Sequence, residues 1–74
     1  MQDRRNADTF ARRLRELREK RGISQQVVAD FCVISKSSVA RYENGERIPD
    51  IETAVRLTDF FGVTMDYLCN GIIS

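Results

Sequence analysis

Two short helical segments joined by a tight turn, within residues 24–45, are the feature that most constrains this fold. Each segment opens with a serine suited to capping a helix, Ser24 for the first and Ser35 for the second. The second segment carries small polar residues beside the cation Lys36 and closes at Asn44-Gly45. The major groove of DNA admits one α-helix, and short polar side chains near its start can reach base edges. The pattern therefore predicts a helix pair that presents its second helix to DNA.

Helix start and stop signals predict three further helices. Each begins at a capping side chain and ends at or just before a glycine. The predicted limits are Asp8 or Thr9 to about Lys20, with Gly22 as the stop; Pro49-Asp50 to Gly62; and Thr64 to Leu68, with Asn70-Gly71 as the stop. No strand pattern is present. The chain is predicted to be an all-α domain of five helices over residues 9–71, with a flexible arm at 1–8 and a tail at 72–74.

Apolar residues at helical spacing give each predicted helix one inward face. The residues expected to point inward are Phe10, Leu14, Leu17, Val28, Ala29, Cys32, Val39, Tyr42, Ile51, Ala54, Leu57, Phe61 and Leu68. Cys32 and Cys69 are the two cysteines, and both are predicted to be structural. Because histidine is absent and the cysteines are unpaired, no zinc ligand set exists, and neither a metal nor a cofactor is expected.

Length and composition exclude several classes of protein. Seventy-four residues make one small domain, and no apolar run approaches the about 20 residues of a membrane span. The first residues lack the apolar core of a secretory signal, so a cytoplasmic protein is expected. An enzyme is not expected, because histidine and a glycine-rich phosphate loop are both absent. The Ser35-Lys36 pair lies on a small exposed helix, not in a pocket of substrate size.

The charges are distributed unevenly along the chain. Residues 1–22 hold eight cations and four anions, a net charge of +4, whereas residues 23–74 have a net charge of −3. One interpretation is a basic face that docks on DNA phosphates. The other is a solvated, ion-paired helix, because Glu16 and Lys20 stand four residues apart.

Several landmarks occur together, in order and at consistent spacing. They are Leu14-Arg15-Glu16-Leu17-Arg18-Glu19, Ile23-Ser24-Gln25, Ala29, Val39, Arg41-Tyr42-Glu43-Asn44-Gly45, Pro49 and Gly62-Val63-Thr64-Met65-Asp66-Tyr67-Leu68. With these landmarks the chain resembles the lambda-repressor-like family of Cro-type (XRE family) helix-turn-helix regulators over nearly its whole length. The resemblance implies a bacterial or phage-encoded protein with a compact five-helix DNA-binding domain.

The resemblance also implies roles for individual residues. Ser24 and Gln25 would touch phosphate or the groove edge, and Asn44 would bind phosphate through its amide and nearby N–H groups. The residues that would face base edges are Lys36, Ser37 and Arg41, with Ser35 and Ser38 assisting. Arg and Lys suit the acceptors of guanine, and serine suits several partners. Arg18 and Glu43 match an ion pair that, in related repressors, ties the first helix to the end of the third.

The chain departs from the family pattern in three respects. Val33 stands where the family has a glycine with positive φ, so the turn is either strained by roughly 1–2 kcal/mol or rebuilt. Glu46 replaces a basic phosphate contact, for which Arg47 would compensate. Val27 and Phe31 are apolar neighbours on the outer face of the second helix. They are packed by the arm, tolerated as exposed residues, or part of a surface for a partner protein.

Taken together, these features predict a sequence-specific DNA-binding transcriptional regulator, a repressor that binds a near-palindromic operator as a weak dimer. One such domain reads too few bases alone, and paired domains on adjacent half-sites solve this. The predicted dimer interface runs through the start of the fourth helix and the fifth helix and comprises Met65, Tyr67, Ile72 and Ile73. The other interpretation is that Met65 and Tyr67 complete the core of the monomer. The alternative is a protein-interaction module of the same fold, such as an antitoxin or adaptor, which the acidic bias after residue 22 favours.

Overall fold

Five α-helices make up the described part of the chain. The computed structural model describes the backbone of residues 4–73 and the side chains of residues 8–69, and within this part it contains no strand. The helices are α1 (Arg4–Arg21), α2 (Gln25–Cys32), α3 (Lys36–Glu43), α4 (Ile51–Phe61) and α5 (Met65–Ile73). The predicted all-α, five-helix class is confirmed.

Each helix from α2 to α5 starts at the capping side chain that the sequence predicts. In every case a side-chain oxygen accepts a hydrogen bond from the N–H group three residues later, which satisfies one of the unpaired donors at a helix start. The pairs are Ser24 with Val27 at 3.2 Å, Ser35 with Ser38 at 3.1 Å, Asp50 with Thr53 at 2.9 Å and Thr64 with Tyr67 at 3.0 Å.

Two helix limits differ from the prediction. α1 begins at Arg4 and not at Asp8 or Thr9, so the predicted arm is helical from Arg4 onward. Residues 4–7 contain neither glycine nor proline, and extending a helix that already exists is easy. α5 runs through Asn70 and Gly71 to Ile73, because one glycine costs a helix only about 1 kcal/mol. Residues 72 and 73 of the predicted tail are therefore helical, whereas residues 1–3 and 74 lie outside the described part.

The core contains apolar side chains from all five helices. Its buried members are Phe10, Leu14, Val28, Ala29, Cys32, Val39, Tyr42, Ala54, Leu57, Phe61, Leu68 and Cys69. Phe10 meets Tyr42 edge to face, with ring centroids 6.1 Å apart. Leu17 packs against the core only partly. The prediction for Ile51 was wrong: as the first residue of α4 it lies beyond the edge of the core and is 69% exposed.

The turn between α2 and α3 keeps the backbone conformation of a glycine although Val33 occupies it. Val33 has φ 58° and ψ 46°, and its N–H group donates to the Ala29 carbonyl. The next N–H group, of Ile34, donates to the same carbonyl at 3.0 Å, which closes the end of α2. Of the two alternatives for this turn, the strained one is therefore correct.

Helix packing fixes α3 in place. α1 packs against α5 and α3, while α2 packs against α3 and α4. Val39, Tyr42 and Glu43 bury the inner side of α3, so its opposite side faces outward.

Candidate nucleic-acid interface

The outward side of α3 carries the residues that the sequence predicts for base contact. Lys36, Ser37 and Arg41 are all exposed. Ala40, which is half-buried, lies on the same side because helical residues three or four apart share a face. Sequence reasoning did not single out Ala40, although its single methyl group leaves room for close approach. Two cations and two small residues therefore share one helical face.

The two assisting serines at the start of α3 are partly occupied by each other. The Ser35 hydroxyl donates to Ser38 Oγ at 3.0 Å, and Ser35 Oγ accepts the Ser38 N–H. Ser35 is thus chiefly a helix cap, and its hydroxyl group is paired with that of Ser38.

The backbone N–H groups at the end of α3 make hydrogen bonds within the helix. The N–H groups of Asn44, Gly45 and Glu46 donate to the carbonyls of Ala40, Tyr42 and Arg41, at 3.0, 3.2 and 2.9 Å. These N–H groups close the helix, and the binding of phosphate by Asn44 stays a prediction. The exposed Asn44 side chain is the polar group that remains, and its Oδ1 accepts a hydrogen bond from Arg15 Nη2 at 3.3 Å.

A buried carboxylate joins the start of α2 to the end of α3. The Glu43 carboxylate accepts hydrogen bonds from Arg18 Nε at 2.6 Å and from Arg18 Nη2 at 3.0 Å, which form a bidentate ion pair between α1 and α3. Gln25 Nε2 donates to the same carboxylate at 3.1 Å. The hydrogen bond to Glu43 raises the pKa of the Arg18 guanidinium. The structure thus brings Gln25, Arg18 and Glu43 together, while Ser24 stays exposed at the α2 cap.

Other arginines of the basic first helix hold the fold together. Arg21 donates to the carbonyls of Phe60 and Phe61 at the end of α4, both at 2.9 Å. Arg13 donates to the Tyr67 carbonyl and lies over the Tyr67 ring, 4.9 Å from its centroid. The positive charges of these two residues therefore help to pack α1 against α5 and α4. The sequence did not predict these contacts.

The remaining residues of interest lie on other surfaces. Arg47 is exposed and lines a groove with Ser38 and Tyr42, next to exposed Glu46. Met65 is half-buried against the core, and Tyr67 is 42% exposed. The side chains of Ile72 and Ile73 lie outside the described part.

The apolar pair on α2 is exposed in the described part of the chain. Phe31 is 70% exposed and stacks on Phe60 of α4, with centroids 4.8 Å apart, and Val27 is also exposed.

Both cysteines are free and buried, and burial raises the pKa of each thiol. Among the described residues, no helix is long and apolar enough to cross a membrane, and no cluster of metal-ligating side chains occurs.

Comparison with known proteins gives consistent matches. A family model described as Helix-turn-helix matches residues 14–68. The prophage-derived HTH-type transcriptional regulator YonR of Bacillus subtilis is 39% identical over 62 residues, covering 84% of this chain and 57% of that protein. The phage CTXphi transcriptional repressor RstR of Vibrio cholerae is 35% identical over 54 residues, covering 73% of this chain and 49% of that protein. This chain thus spans about half the length of these relatives. A protein named as a transcriptional activator is also among the similar sequences.

A solved structure supports the same fold. The crystal structure of the restriction-modification controller protein C.AhdI from Aeromonas hydrophila has a TM-score of 0.80 and 28% sequence identity. The match covers 86% of this chain and 97% of that one.

Proposed function

This chain belongs to the helix-turn-helix family of DNA-binding transcriptional regulators, and we propose that it represses transcription as a dimer on a near-palindromic operator. The family is one of regulators and not of enzymes. The observation that carries the proposal is the outward face of α3, where Lys36, Ser37 and Arg41 are exposed around the small Ala40. A helix with this face fits the major groove with little steric hindrance.

Direct base contact is assigned to the two cations of α3. Arg41 forms paired hydrogen bonds with the O6 and N7 acceptors of a guanine, and Lys36 binds a second acceptor near the start of the helix. Ser37 and Ser38 supply hydroxyl groups to a base or the backbone. Ala40 lies between these residues and lets the helix axis approach the groove floor.

Contacts to the DNA backbone flank the recognition helix. Ser24 and Gln25 lie at the start of α2, and Asn44 lies just past the end of α3. Glu43 holds Gln25 in position, because the Gln25 amide donates to the buried carboxylate. Arg47 adds a cation beside this set, and the neighbouring Glu46 reduces its effect. These contacts set the register of α3 in the groove, and α3 reads the sequence.

Dimer formation is proposed through α5 and the start of α4. Tyr67 and Ile51 are exposed, and Met65 is only half-buried, so apolar surface remains on these helices. The proposed interface also includes Ile72 and Ile73. A small interface is weak in solution and becomes effective when DNA holds both copies on adjacent half-sites.

Sedimentation of the wild type and Tyr67→Glu on operator DNA tests this interface. The wild type is expected to be monomeric at low micromolar concentration and to bind cooperatively as two copies. The variant should fold, as a melt verifies, and bind without cooperativity. Cooperative binding by folded Tyr67→Glu would contradict the proposed interface.

The operator itself is identified by selection from genomic fragments with the purified protein, followed by sequencing of bound DNA. The selected operator should contain two inverted half-sites about one helical turn apart. A reporter placed downstream of that operator gives the sign of regulation. Reporter activity should rise when the protein is removed, and a fall would identify an activator.

A second candidate function is binding of a protein through α2. The exposed Phe31 ring on Phe60, next to exposed Val27, supports it, because adjacent exposed apolar residues often mark contact surfaces. Phe31→Ser leaves the α3 face intact, so the variant separates the two functions. Loss of regulation in cells with unchanged operator affinity would support a protein partner; unchanged regulation would exclude this surface.

A further inference from the structure

One oxygen of the Glu43 carboxylate contacts side chains that lie beside the proposed contact with the DNA backbone. Glu43 Oε1 lies 3.0 Å from Arg18 Nη2, 3.1 Å from Gln25 Nε2 and 3.7 Å from Arg15 Nε. The Glu43 side chain is fully buried. Gln25 belongs to α2 and Arg15 to α1, and both meet at the end of α3.

Two arginines lie beside the Glu43 carboxylate. Arg18 is mostly buried and neutralises Glu43 through two hydrogen bonds, at 2.6 and 3.0 Å. Arg15 is the second cation beside the same single carboxylate, and its side chain is 47% exposed. The Arg15 side chain therefore lies at the surface, beside a proposed phosphate ligand.

Arg15 also orients that ligand. Arg15 Nη2 donates to Asn44 Oδ1 at 3.3 Å, so the amide oxygen of Asn44 is turned toward α1 and its NH₂ group is turned away. A phosphate needs hydrogen-bond donors, and this orientation presents them. A guanidinium has five N–H donors, and Arg15 directs two of them at Asn44 and Glu43, which leaves three for a further acceptor.

We propose that Arg15 is a further DNA-contacting residue, which binds one backbone phosphate together with Asn44 and Gln25. The proposal rests on the proposed function and extends the contact surface from α2 and α3 to α1. It also separates Arg15 from Arg13 and Arg21, whose guanidinium groups are bound to carbonyls of α5 and α4. In this arrangement the Glu43 carboxylate acts as a positioning group, since it holds Gln25 and Arg15 without touching DNA.

The test compares Arg15→Gln with Lys20→Gln as a matched control. Both substitutions remove one positive charge from α1. Lys20 is exposed and, two residues after Arg18, faces away from α3. The affinity of each protein for its selected operator is measured from about 0.05 to 0.3 M salt. Each phosphate contact adds about 0.9 to the slope of log affinity against log salt, so Arg15→Gln should lower the slope by about 1. It should also weaken binding about tenfold at 0.1 M salt, while Lys20→Gln keeps the wild-type slope.

A double-mutant cycle tests the positioning of Asn44. Arg15→Gln should cost less affinity in an Asn44→Ala background, because the oriented amide is already gone. Arg15→Lys should restore the salt slope but not the coupling to Asn44. Thermal melts of all variants show that each is folded under the binding conditions.

The outcomes distinguish this inference from the function on which it rests. A wild-type slope for folded Arg15→Gln, or an equal loss of slope in both charge variants, would overturn the role of Arg15 while leaving DNA binding intact. If the wild type itself bound no duplex DNA in a salt-dependent manner, the proposed function would fail first.

Discussion

Replacing Val33 with glycine is expected to stabilise this protein. Val33 has φ 58° at the end of α2, a conformation in which the Cβ of an L-residue approaches the backbone too closely. Its side chain is 73% exposed, so removing it sacrifices little apolar burial. The hydrogen bonds of the turn come from the backbone N–H groups of Val33 and Ile34 and remain available to glycine.

The magnitude follows from two opposing terms. Relief of the left-handed conformation contributes about 1–2 kcal/mol, and the larger conformational entropy of unfolded glycine removes about 0.5–1 kcal/mol. The net gain in the free energy of unfolding is about 1 kcal/mol. For a domain of this size, that gain raises Tm by about 4–8 °C.

Thermal and urea unfolding of three variants provides the assay. Val33→Gly should be stabilised, and Val33→Ala should gain less because it keeps the Cβ. Gly62→Ala is the reciprocal control: Gly62 has φ 66° at the end of α4, and an added Cβ would meet no atom within 4 Å. It should lose about 1 kcal/mol from backbone strain alone. A clear loss of stability in Val33→Gly would refute the assignment of strain to Val33.

Two further predictions concern charged groups. Arg18→Ala should destabilise the fold by about 3 kcal/mol, more than loss of any other α1 cation, because it removes both hydrogen bonds that Arg18 donates to buried Glu43. A double-mutant cycle with Glu43→Ala should show a coupling energy, and additive losses would argue against the pair. The Thr53 hydroxyl and N–H groups hold the pKa of Asp50 below its usual value, so stability from Asp50 is present above about pH 4 and is lost as pH falls through the lowered pKa. The melting temperature of Asp50→Asn should therefore fall less than that of the wild type as the pH is lowered. An equal fall in both proteins would contradict the role of Asp50.

Local chemistry made most helix positions predictable. Ser24, Ser35, Asp50 and Thr64 cap α2 to α5 as predicted, because a capping oxygen acts within three residues of itself. The start of α1 was not predictable in this way. Asp8 looks like a cap, but helix extension through residues 4–7 costs little, and the competition leaves no signature in the sequence.

Contacts between helices set the limit of sequence reasoning at the site. The family resemblance paired Arg18 with Glu43, but nothing in the spacing shows that Gln25 and Arg15 reach the same oxygen. Likewise, the N–H groups after α3 were expected to bind phosphate, and only the folded turn reveals that they donate to carbonyls of α3. The shared contact at Glu43 depends on tertiary packing, which local patterns do not encode, whereas the hydrogen bonds that close α3 form within its own last turn.

The most direct test of the account is equilibrium binding of the wild type and Arg41→Ala to four operators that differ at one base pair. Arg41 is exposed on the outward face of α3, so its loss should leave the melting temperature nearly unchanged. The wild type should prefer guanine at one position. Arg41→Ala should lose about 1–3 kcal/mol on that operator and bind all four bases alike there. An unchanged base preference in Arg41→Ala would contradict the claim that α3 reads the DNA sequence through Arg41.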